Sequence, residues 1–98
     1  MTIDEFRIAI ERSETPAFPP LLRALWHDAR GDWNEAHRVA QDLGGHDAAW
    51  VHAYLHRKEG DLANARYWYQ RARQAEAHGS LDEERDQIVA ALIERLPG

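Results

Sequence analysis

The sequence predicts an all-α domain of stacked antiparallel helical hairpins, closed by an N-terminal helix and a C-terminal capping helix. Three observations point there. The chain repeats itself: residues 25–41 (LWHDARGDWNEAHRVAQ) align with residues 54–70 (YLHRKEGDLANARYWYQ) at an offset of 29. His27 meets His56, Gly31 meets Gly60, Asp32 meets Asp61, Ala36 meets Ala65 and Gln41 meets Gln70. Self-similarity at such a period marks stacked supersecondary units. In each copy a Gly-Asp pair separates two helical stretches, stopping one helix and capping the next. No segment alternates apolar and polar residues with the period of two that a strand requires.

Six helices follow in order. The first spans 3–12, where Thr2 and Glu5 have capping-box spacing and Ile3, Phe6 and Ile10 share a face. SETPAFPP (13–20) breaks it, because prolines lack the N–H and force extended neighbours. Pro20 suits the first turn of the second helix, 20–30. Gly31 ends that helix, and Asp32 caps the third, 33–43, with Trp33, Ala36, Val39, Ala40 and Leu43 in one stripe. Gly44-Gly45 breaks the chain, and Asp47 caps the fourth helix, 48–59. Gly60 and Asp61 repeat the turn before the fifth, 62–77, whose stripe is Leu62, Ala65, Trp68, Tyr69 and Ala72. Gly79 ends it. Ser80 and Glu83 open the sixth, 81–96, where Leu81, Ile88, Leu92 and Leu96 face inward opposite a charged outer face.

The chain is read as one domain, 1–98: an N-terminal helix and proline loop (1–19), hairpin one (20–43), hairpin two (46–77) and a capping helix (80–96). Lacking cysteine, it has no disulfides, thiolate metal sites or cysteine nucleophile. The formal charge is −5 and the basic residues are scattered apart from the small groups Arg57–Lys58 and Arg71–Arg73, whereas a nucleic-acid binder needs a continuous basic face; no nucleic acid is expected to bind. Eleven of the twelve basic residues are arginine, which fits a GC-rich coding sequence. The acidic start MTIDEFRIAIERSE lacks the pattern of a signal peptide, and no apolar run approaches the ~18 residues of a membrane span, so a cytoplasmic, membrane-free protein is expected.

The segment GDLANARYWYQRA (60–72) resembles the second half of a tetratricopeptide or Sel1-like unit. Gly60-Asp61 match its turn, Ala65 and Ala72 its small contact residues, and Tyr69 its aromatic. GDWNEAHRVAQDL (31–43) matches through Gly31-Asp32, Ala36 and Leu43, while Ala24 and Ala53 stand at the small position of the leading helices. The period is 29 rather than about 34, and the closing proline is missing. The resemblance covers 20–77. It implies a right-handed stack of hairpins and a protein- or peptide-binding role.

By that pattern Trp50, Tyr54 and Arg57 line the concave surface, and they are the residue types that dominate binding hot spots. They are the expected partner-binding residues, with core packing of Trp50 and Tyr54 as the competing reading. A second reading makes the protein a binder of small ligands or metals. His52 and His56, four apart, project from one helix face. With the repeat-equivalent His27 and with Glu59 they form a conceivable zinc or nickel set, against the plainer reading that these histidines pack between helices. Arg23 and His27 occupy the repeat positions of His52 and His56, and this ladder could receive a carboxylate or phosphate, with Arg23 as the bidentate partner. The plainer reading pairs it with Asp28 or Glu59. Two serines, Ser13 in the proline loop and Ser80 at a helix cap, and the absence of any phosphate loop or nucleophile elbow leave no catalytic residue and no cofactor expected. Two repeats bury little continuous core, so a homodimer is a third possibility.

Overall fold

The computed structural model describes residues 1–97, and among them every regular element is helical. The helices are α1 (Ile3–Ile10), α2 (Pro20–Ala29), α3 (Trp33–Gln41), α4 (His46–Glu59), α5 (Leu62–Ala72) and α6 (Leu81–Glu94). The chain packs into 33 × 29 × 26 Å with a radius of gyration of 12.4 Å. No described helix is long and apolar enough to cross a membrane.

The helix starts follow local chemistry. The side chains of Thr2, Asp32, Asp61 and Ser80 each accept the backbone N–H three residues on, at 3.0–3.2 Å. Each such cap is worth about 1 kcal/mol. The two Gly-Asp turns are the same motif. Gly31 (φ 88°) donates to Asp28 O and Asp32 to His27 O; Gly60 (φ 90°) donates to Arg57 O and Asp61 to His56 O. This is the Schellman ending, whose left-handed residue favours glycine.

Helices α1, α3 and α6 end two residues before the expected 12, 43 and 96, and α2 one before 30; two further departures have a cause in the structure. The fifth helix stops at Ala72 rather than 77 because Arg73 takes the left-handed conformation (φ 58°). Arg73 donates to Gln70 O and Gln74 to Tyr69 O, a third Schellman ending built without glycine. The freed segment 73–80 then carries the chain across to α6 and lays Ala77 against Tyr69 and Ala65. Arg73→Gly is expected to raise unfolding stability by about 1 kcal/mol, since a non-glycine residue is strained there. Urea unfolding of the two proteins checks this; equal midpoints would refute the strain. The fourth helix begins at His46, not 48. Its N-cap is Gly45 (φ 98°) with no side-chain cap, and Asp47 instead bonds Arg95 beyond α6.

The centre of the molecule is α4, buried from Ala48 through His56 except at Trp50. On one side Val51, Tyr54 and Leu55 join Phe6, Leu22, Leu25, Trp26, Ala36, Ala40, Ile88, Val89 and Leu92 in the main core. On another, Ala53 meets Ala65 and Tyr69 of α5 in a second, smaller cluster. Small residues on α3, α4 and α5 let these helices approach closely. Two buried carboxylates tie the layers. Asp28 accepts from Tyr54 Oη at 2.7 Å and from Lys58 Nζ at 2.8 Å. Glu84 accepts from Tyr69 Oη and from Arg57 at 3.1 Å.

Candidate functional site

The expected aromatic face is mostly interior. Tyr54 is 1% exposed and bonded to Asp28, so it offers a partner nothing. Burial, with the Asp28 carboxylate next, drives its phenol pKa above the ordinary range. Arg57 is engaged by Glu84 and by Gly79 O. Trp50 is half-buried at a cleft whose lining includes Glu83 and Glu84. The physical reason is α6, which returns across the face of α4 that these three residues share.

The histidines gather differently from the expected set. His52 and His56 do lie together, with ring centroids 5.6 Å apart. Their third member is His37 on α3, stacked on His52 at 4.8 Å and edge-on to His56 at 5.2 Å. Trp33 stacks on the far side of His37 at 4.9 Å, and Trp68 of α5 meets His52 at 4.1 Å. A column Trp33–His37–His52–Trp68 thus joins α3, α4 and α5. His27 packs on its neighbour Trp26 instead, at 5.0 Å. Arg23 and His27 act with Arg38, the largest influence, to hold the Glu35 carboxyl below its usual value. The ion pairs expected for Arg23 go elsewhere: Asp28 takes Lys58, and Glu59 lies 3.5 Å from His56 Nδ1.

Burial, then the neighbouring His37 and His56, brings the His52 pKa down to about 4. His37 is lowered by burial and by His56, with Glu59 opposing. His37 and His52 therefore both favour the neutral ring. Nε2 of His52, 7% exposed, is buried without a hydrogen-bond partner.

The metal set also changes membership. His56, Glu59 and Asp61 offer ligand atoms within 4.8 Å of one another; His27 and His52 are not in the group. Asp61 already caps α5 through Asn64 N–H, and both carboxylates are exposed. Exposed groups of this kind are common without an ion.

Next to His52 a cleft of about 460 Å³ opens between the α3–α4 turn and the end of α5. Leu43, Gly44, Gly45, His46, Ala48 and Ala49 form one wall; Trp68, Gln70, Arg71 and Arg73 form the other, with His52 and Gln41. Arg71 lies over both Tyr67 and Trp68, 5.6 and 5.4 Å from their ring centroids. The sequence offered no reason to single out His37, Trp68, Arg71 or Arg73 as a group. The available signals were the short basic group Arg71–Arg73 and the i, i+4 spacing of Trp33 and His37, which sets both rings on the same side of α3. Comparison with known proteins finds no matching family model, no matching curated protein and no matching solved structure.

Proposed function

We propose that this protein is a non-catalytic interaction module of two tetratricopeptide-like hairpins, and that its peptide or protein partner seats in the cleft between the α3–α4 turn and α5. The observation that carries this reading is the wall of that cleft. Trp68, with Arg71 lying over its ring, places an aromatic side chain beside a guanidinium on that wall, and Tyr67, 51% exposed, packs edge-on against Trp68 outside the lining. Tryptophan, tyrosine and arginine concentrate binding energy at interfaces. The repeated Gly-Asp turns support the hairpin family. The Trp50, Tyr54 and Arg57 surface is replaced in this role because the core and Glu84 already use it.

Selection of a displayed random peptide library against the purified chain tests the reading. Enriched peptides are expected to lose about tenfold or more in affinity to Arg71→Glu, a change at an exposed residue that leaves the core intact. Peptides that bind Arg71→Glu as tightly, or a selection that enriches nothing, would overturn it.

A further inference from the structure

The cleft beside His52 differs in charge from the rest of the surface. The chain carries 17 acidic residues against 12 basic ones, yet no carboxylate lines this cleft, while Arg71, Arg73, His46 and His52 do. The clefts beside α1, beneath the 74–80 segment and along α6 each include a glutamate or aspartate. Neither Arg71 nor Arg73 is within ion-pair distance of a carboxylate among the described residues, although Arg71 touches Tyr67 Oη at 3.3 Å. On this wall, then, Arg73 and the ring-stacked Arg71 carry charges that no described carboxylate neutralises.

On the facing wall begins α4, 14 residues long. Gly45 supplies no side chain to cap it, and the first-turn carboxylate, Asp47, is drawn to Arg95 and lines a different cleft. The first backbone bond into the helix is Ala49 N–H to Gly45 O at 3.1 Å. The N–H groups of His46, Asp47 and Ala48 precede it and have no intrahelical acceptor. The partial positive charge of the helix start adds to them. A second, independent feature belongs to the same cleft: His52, more than nine-tenths buried, lines it one and a half turns further along α4, and its buried Nε2 has no hydrogen-bond partner. A buried polar atom of that kind calls for a partner that the protein itself does not supply.

We infer that the cleft binds an oxyanion, a phosphate or carboxylate group carried by its ligand, between the open N-terminus of α4 and the guanidiniums of Arg71 and Arg73. The Trp68 face takes the flat or apolar part next to that group, and His52 lines the floor. This assignment rests on the reading of the cleft as the protein's binding site and adds the chemistry of what enters it. It also gives a reason for the strained backbone at Arg73: glycine would suit the Schellman ending better, but it would remove a cationic side chain from the wall.

The test is a titration of the ¹⁵N-labelled protein with sodium phosphate, and separately with sodium acetate, at constant ionic strength. Saturable shifts are expected at the amides of Gly45, His46, Asp47 and Ala48 and at the Trp68 indole. The dissociation constant is expected to weaken about tenfold or more in Arg71→Gln/Arg73→Gln, whose changes lie at exposed positions. Saturation by phosphate assigns a phosphorylated ligand, and saturation by acetate assigns a carboxylate. Shifts that stay linear with both salts, spread over the surface arginines, or survive unchanged in the double variant would overturn the assignment. The peptide selection is scored independently. Peptides that bind through Trp68 while both anions fail would remove this inference and keep the interaction module. Saturable anion binding with no enriched peptide would do the reverse.

Discussion

Tyr54→Ala is expected to cost about 3–5 kcal/mol of unfolding free energy, the range for truncating a buried aromatic residue. That is a large share of the 5–15 kcal/mol that holds a typical domain folded. Two losses combine. The ring is 1% exposed in the main core, between residues of α2 and α6, so its removal leaves a cavity that the surrounding helices close only in part. The hydroxyl is the nearest donor to Asp28, a carboxylate 1% exposed, whose other partner is Lys58. Without it a buried anion keeps one bond where it had two. Tyr54→Phe separates the terms: it keeps the ring, removes the donor, and is expected to cost about 1–3 kcal/mol. Urea unfolding followed by circular dichroism reads both variants. A Tyr54→Ala cost within error of the Tyr54→Phe cost would show that packing of the ring contributes little, contrary to its place in the core.

Acidification is expected to destabilise the fold through the histidine cluster. Folded His52 has its pKa brought from 6.5 to about 4, so the folded state prefers the neutral ring. The unfolded chain takes up the proton near 6.5. The stabilisation is therefore complete above pH 6.5, declines as pH falls, and is gone below about 4. The interval between 6.5 and about 4, at about 1.4 kcal/mol per pH unit, makes the loss about 3 kcal/mol. His37 on the facing helix is displaced in the same direction and adds to it, while Glu59 works against that displacement. Trp33 and Trp68 close the ends of the column with uncharged rings. Unfolding midpoints of the parent and of His52→Gln between pH 7.5 and 4 check this. Carboxylates that titrate over the same range do so in both proteins and cancel in the difference. The variant should show a distinctly shallower decline; an equal slope would remove His52 as the cause.

The helical class, the six elements and most of their starts were legible in the sequence because they depend on interactions within three or four residues. Thr2, Asp32, Asp61 and Ser80 meet the N–H groups of their own first turns, and Gly31 and Gly60 adopt left-handed conformations that few other residues tolerate. The same locality explains the misplaced end of α5 and start of α4. Arg73 carries no left-handed preference, and Asp47, expected to cap α4, pairs instead with Arg95, 48 positions away.

The composition of the binding surface was decided by tertiary structure. Trp50, Tyr54 and Arg57 share a helix face by spacing, but whether that face meets solvent depends on where α6 returns. It returns on top of it, with Glu84 against Arg57. The 29-residue repeat pairs His27 with His56, yet the rings that meet His56 come from α3 and α4, because side-chain contacts follow the approach of helices rather than equivalence in the repeat. The cleft of His52, Trp68, Arg71 and Arg73 joins residues from both ends of the second hairpin and the turn before it. By itself the sequence determined which stretches are helical and where most of them start, since those are local hydrogen-bonding problems. Only the packed structure decided which polar groups are buried, which cations are left without partners and which helix start stays open, since those depend on what the rest of the chain covers.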